Sequence, residues 1–232
     1  MIDIRPFDRL GHADHGWLDA RHHFSFAGYR DPDRMGWGSI RVWNDDTIAP
    51  HTGFSPHPHN DMEIVTFVRT GAISHGDSLG NAGRTAAGDV QVMSAGTGIV
   101  HSEHNRENEA TTLFQIWILP DKTGEAPSWG QREFPRADRN GGWTVVASGN
   151  SAADDALPIR ADARVLAATL NPGQSASYAI DPSRHAYLVA ASGRIRVNGQ
   201  EANARDGIAI TGENTVEVEA LDAAELVMVD AR

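Results

Sequence analysis

The 232-residue sequence predicts an all-β protein built as two β-barrels in tandem. Three observations carry that reading. Short runs rich in Val, Ile, Thr and aromatic residues recur at near-regular spacing, each closed by Gly, Pro, Asn or Asp. No long stretch has the apolar period of an amphipathic helix. One segment, 121–142, breaks the strand rhythm with Gly124, Pro127, Gly130, Pro135, Gly141 and Gly142 among charged residues. Many short strands with frequent turns fold as sandwiches or barrels.

Taken in order, the first half is expected to place strands at Ser39–Trp43, Glu63–Arg69, Ala72–His75, Asp89–Met93 and Thr112–Leu119, punctuated by Gly71, Gly76, Gly80, Gly83 and Gly88. The second half is expected to place them at Trp143–Ala147, Arg164–Leu170, His185–Val189, Gly193–Val197, Gly207–Ile210, Thr215–Glu219 and Leu226–Asp230. Asn198-Gly199 reads as a tight hairpin turn, because both positions of that turn need a positive φ. The break at 121–142 reads as the connection between the halves. The expected domains are therefore 1–130 and 131–232.

Composition narrows the function. The formal net charge of −11 argues against a direct nucleic-acid partner, which needs a basic face. The absence of cysteine rules out disulfides and thiolate metal sites. The N-terminal MIDIRPFDRL lacks the apolar region of a signal peptide, and no apolar run has membrane-spanning length, so a cytoplasmic chain with no membrane contact is expected.

Two motifs carry chemistry. His57-Pro-His59 and, about forty residues later, His101-Ser-Glu103 are each a pair of metal donors two residues apart. On a strand, residues two apart face the same way. Two such strands side by side would converge three imidazoles and one carboxylate on one ion. Parity alone leaves the carboxylate open, since Glu63 shares the parity of His59 and Glu103 that of His101. Asn105 continues that parity and would hydrogen-bond near the site. Of the eleven histidines only His185 lies in the second half, so metal chemistry belongs to the first. The donors suit Fe, Cu, Ni, Co, Mn or Zn. A closed structural metal site is the rival reading. His12, His15, His22 and His23 read as surface or packing residues, His75 as a strand-end hydrogen-bonding residue, His185 as structural, and the six tryptophans as core or interface.

The order Gly53, His57-x-His59, Glu63, then Gly88, Gly96, His101, Asn105 resembles the cupin pattern, with Ser94-Ala95-Gly96 where Pro-x-Gly is usual. The wording of Phe24–Tyr29, of 57–66 and of 88–103 resembles the pirin family, in particular its bacterial quercetin 2,3-dioxygenase branch. The resemblance implies two cupin barrels, with metal only in the first. It implies the ligands His57, His59, His101 and Glu103, with Fe(II) as the favoured ion and Glu63 as a neighbour of the site. It implies a flavonol-like substrate and O₂, with Glu103 both ligand and proton acceptor. Asn60 and His104 depart from the family wording and bear on substrate preference. Some pirins act instead as regulatory modules on transcription factors or metabolic enzymes, so a protein partner is the second reading. Free coordination positions facing a closed pocket would distinguish the two.

Overall fold

A computed structural model describes the whole chain, Met1–Arg232. It is nearly all strand, in two halves of matching design, each with a seven-stranded and a four-stranded sheet. In the first half the larger sheet runs in the order Ser128–Arg132, Val90–Ser94, Glu63–Thr70, Thr111–Ile118, Ile40–Ile48, Leu18–His22, Gly11–Asp14. The smaller runs Gly53–His59, Ile99–His104, Ala72–Asp77, Ala82–Ala86. In the second half the larger sheet is built around His185–Ser192, Ala224–Ala231 and Ala163–Leu170, and the smaller around Thr215–Ala220 and Ile195–Val197. Pairing is antiparallel throughout, apart from a short parallel contact of Thr144–Ser148 with Leu157–Pro158 and an isolated parallel bridge from Asn140 to Thr169. No helix is long and apolar enough to cross a membrane.

Central strands of the larger sheets are buried on both faces; six of the eight residues of Thr111–Ile118 are buried. One face meets the other half. Trp43, Phe67, Phe114 and Ile116 from the first half join Val165, Tyr187, Val227 and Val229 from the second in one cluster of 25 buried residues. The other face looks into its own half, and here the halves diverge. The second half fills its interior with a continuous cluster of 19 apolar residues. The first half has only two small clusters, of 6 and 4 residues. Between them lie Asn44, Asp46, Gln91, His101, Glu103 and Gln115, all buried.

Several expectations are corrected. The strand expected at Ser39–Trp43 runs on to Ile48, through the polar Asn44-Asp45-Asp46-Thr47. It persists because Asp45 is ion-paired with Arg69 and Arg205 while Asn44 faces the interior and bonds His22. Segment 121–142 is not all connection: Ser128–Arg132 pairs with Val90–Ser94 as the edge of the first large sheet. Ile2–Arg5, counted with the first half on sequence, pairs with Gly207–Thr211 in the second. The Asn198-Gly199 turn forms as expected, with φ of 44° and 86°, between Ile195–Val197 and Gln200–Ala202.

Candidate metal centre

The site is built on two neighbouring strands of the smaller sheet. Gly53–His59 and Ile99–His104 run antiparallel with His57 opposite His101. The four residues Phe54–His57 face the three residues His101–Glu103, so the first strand carries an extra residue at Ser55-Pro56. Pro56 suits that bulge because it has no N–H to give the ladder. Beyond the bulge the strands come very close. A Cβ on Gly53 would lie 2.2 Å from the Glu103 carbonyl oxygen, so only glycine fits there.

The donor atoms of His57, His59 and His101 all lie within 4.8 Å of one another. Their orientation follows from the hydrogen bonds. His57 Nδ1 is 2.8 Å from the Ser55 carbonyl, which only accepts, so Nδ1 carries the proton and Nε2 the lone pair. On the other side Asp77 Oδ2 accepts from His75 Nε2 at 3.0 Å, leaving His75 Nδ1 to accept from His101 Nδ1 at 3.5 Å. His101 Nε2 is then also a lone pair, and it faces His57 Nε2 at 3.1 Å. Two lone pairs at that separation repel unless a cation lies between them. Metal–nitrogen bonds of about 2.0–2.1 Å at tetrahedral or octahedral angles place their nitrogens about 2.9–3.4 Å apart. The residues therefore fit a metal ion. Burial, with the neighbouring histidines His57 and His59, pushes the His101 ring down to about 3, and burial with His57 pushes His59 down to about 4. Both rings are neutral and ready to ligate at neutral pH.

Glu103 lies on the inner side of this cluster. It joins a second group of donors with His75 and His101 rather than the three-histidine group itself. Gln91 Nε2 donates to its Oε1 at 2.6 Å and Gln115 Nε2 to its Oε2 at 2.7 Å. Burial raises its carboxyl, the Gln115, Thr66 and Gln91 bonds oppose, and the outcome is about 7. Glu63 joins neither group. Its Oε2 accepts from Ser94 Oγ at 2.6 Å and from the Arg160 backbone N–H of the second half at 3.1 Å.

Other residues stand differently from their sequence reading. His75 is a buried member of the centre, stacked on Trp129 with centroids 4.7 Å apart. Trp117 sets its ring edge to face against His59 at 5.0 Å. Both tryptophans therefore wall the site, and Trp129 comes from the segment read as a connection. Asn105 holds the Ile48, Ala49 and Glu109 carbonyls and so fixes a loop, not the site. His22 is buried, with Nδ1 2.8 Å from Asn44 Oδ1, and His23 bonds the Tyr187 hydroxyl between the halves. The sequence carried no signal for Gln91, Gln115 or Asp46, whose polarity is visible but whose facing is not.

Beside Gln115 the first half holds a cavity of about 410 Å³, with Phe54, Phe26, Tyr29, His22 and Asp46 in its walls. Ligand pockets typically span about 300–1,000 Å³. A larger cleft of about 770 Å³ lies near the seam of the halves. Its arginines are already paired, Arg184 with Asp230 and Asp162, Arg164 with Asp154 and Arg160 with Glu125, and it is remote from the histidines.

The chain resembles known proteins along almost its whole length. Residues 4–118 match the Pirin family model, and residues 133–231 match that of the quercetinase C-terminal cupin domain. A pirin-like protein of Caulobacter vibrioides is 62% identical over 231 residues, covering 100% of each chain. The quercetin 2,3-dioxygenase of Escherichia coli is 40% identical over 231 residues, covering 99% of this chain and 98% of the relative. The structure of the bacterial pirin YhhW from Escherichia coli in complex with nickel(II) superposes with a TM-score of 0.93 at 39% identity, covering 100% of this chain and 99% of that one.

Proposed function

Because the chain belongs to the pirin family, we propose that it is a metal-dependent dioxygenase that opens a flavonol-type substrate. One observation carries the reading: neutral imidazoles converge on a cation position beside a buried carboxylate and an aromatic-walled cavity. In the proposed centre His57, His59 and His101 hold the ion, and Glu103 is the fourth ligand. A divalent ion there would act as a Lewis acid and, if redox-active, engage O₂. Fe(II) and Ni(II) both suit this donor set.

The residues of the chain account for the rest. Glu103, held near 7, can accept the proton of a substrate hydroxyl at neutral pH. Gln91 and Gln115 each place an amide N–H on one of its oxygens, so they favour the ionised form and fix its orientation. Ser55 and the Asp77–His75 pair fix which nitrogen of His57 and His101 bears the lone pair. Phe54 packs against the His57 ring and Trp117 against the His59 ring. A cavity lined by Gln115, the residue that holds Glu103, supports catalysis over the regulatory-module reading, which needs none.

The test is O₂ uptake with quercetin on metal-free protein and on Fe-, Cu- and Ni-loaded protein. Uptake should follow metal content and be lost in Glu103→Gln. No metal-dependent uptake above the autoxidation blank in any form overturns quercetin as a substrate.

A further inference from the structure

The interior of the first half holds a carboxyl group that the protein does not satisfy. Asp46 is 2% exposed, and its Oδ1 has no hydrogen-bond partner. An unpaired buried polar atom costs about 1–3 kcal/mol. Leu113 opposite it on one neighbouring strand and Ala20 on the other offer only apolar side chains.

Strand register fixes where the carboxyl points. Asn44 and Asp46 are two apart and share a face. Asn44 lies in a row with Gln115 and His22, and Asp46 lies in the next row, with Leu113 and Ala20. Gln115 reaches Glu103, so Asp46 is one row removed from the proposed metal centre. Asp46 also lines the cavity that Gln115, Phe54, Phe26 and Tyr29 enclose. Three of those walls are aromatic rings, a surface suited to a flat ring. No Arg or Lys lines the cavity; its basic side chains are the imidazoles of His12, His15 and His22. His22 turns its Nδ1 to Asn44 rather than to Asp46.

We infer that this cavity seats an aromatic ring bearing a hydroxyl group, and that Asp46 is the specificity residue that hydrogen-bonds that hydroxyl. The inference rests on the dioxygenase reading only in taking the ring to be the part of the substrate remote from the metal. Burial, with Asp45 and Glu103 nearby, pushes the Asp46 carboxyl well above the usual range. That direction favours the neutral carboxyl, which both donates and accepts and so suits a phenol hydroxyl.

Resorcinol is the probe, because its hydroxyls are too far apart to chelate one ion. Its binding is measured by ligand-observed NMR on metal-free and Ni(II)-loaded protein, with toluene and benzylamine for comparison. Resorcinol should bind both forms alike and better than either comparison compound. Asp46→Leu should weaken it roughly tenfold or more, and Asp46→Asn, which keeps an acceptor, by less. Asp46→Leu should also raise Tm with metal content unchanged, since it removes the unsatisfied group. A purely structural Asp46 would lower Tm on replacement. Equal resorcinol binding by Asp46→Leu, no binding to the wild type, or tighter binding of benzylamine overturns the inference. None of these readouts needs turnover, so a failure of the quercetin assay is separately visible.

Discussion

His101 is the residue through which the site is organised. It faces His57 across one strand boundary and His75 across the other, and its two ring nitrogens are assigned by those neighbours. Glu103, two residues on, has its carboxyl pushed up by burial to about 7. Its direction sets a pH dependence. A metal that takes Glu103 as ligand displaces a proton below about pH 7 and none above it. Apparent affinity should therefore fall about tenfold per pH unit as pH drops below about 7, and level off above it. His59 and His101, at about 4 and 3, do not compete in that range. Competition with a chelator, measured as a function of pH, reads the slope. The slope should disappear in Glu103→Gln. Identical slopes in the variant and the wild type remove Glu103 from the ligand set.

The strand Gly53–His59 shows how an element converts sequence into geometry. Its bulge sets His57 opposite His101, and Gly53 permits the approach that follows. Gly53→Ala would drive its Cβ to 2.5 Å from His104 Cα as well as into the Glu103 carbonyl, and backbone does not move aside cheaply. Such overpacking costs about 1–3 kcal/mol. Urea titration should show that loss together with reduced metal content. Gly142→Ala, with open space around it and no positive φ, should change stability by less than about 0.5 kcal/mol. Equal stability of the two variants would mean that the close approach does not shape the site. This strand also marks the limit of what the sequence discloses. His57-Pro-His59 and His101-Ser-Glu103 are legible because period-two spacing is a local property. Gln91 and Gln115 are not, since their bonds to Glu103 are set by how separate strands pack together. Asn44-Asp45-Asp46 lies beyond the strand end expected at Trp43, yet all three polar residues are buried in the strand that continues through them. Trp129 was hidden for a similar reason, in a Gly- and Pro-rich segment whose strand forms only against Val90–Ser94.

At the scale of the molecule, the two halves share their largest core. The 25-residue cluster draws on both seven-stranded sheets, and polar ties cross the same boundary. Asp45 of the first half holds Arg205 of the second at 2.6 Å, and Glu63 holds the Arg160 backbone. Ile2–Arg5 adds a covalent crossing into the second large sheet. The first half, hollowed by its site, has only small clusters of its own and so depends on the shared core more than the second does. The halves should therefore unfold together, and an ion bound at His57, His59 and His101 should stabilise both. At a free Ni(II) concentration of 100 times Kd the gain is about 2.7 kcal/mol, a Tm rise of about 5–10 °C for a chain of this size. Calorimetry should show one transition that moves as a whole. Hydrogen exchange should slow at the amides of Ala186–Val189, far in sequence from every ligand, as well as in the first half. Two calorimetric transitions of which metal moves one, with no change at Ala186–Val189, would mean that the shared core does not couple the halves.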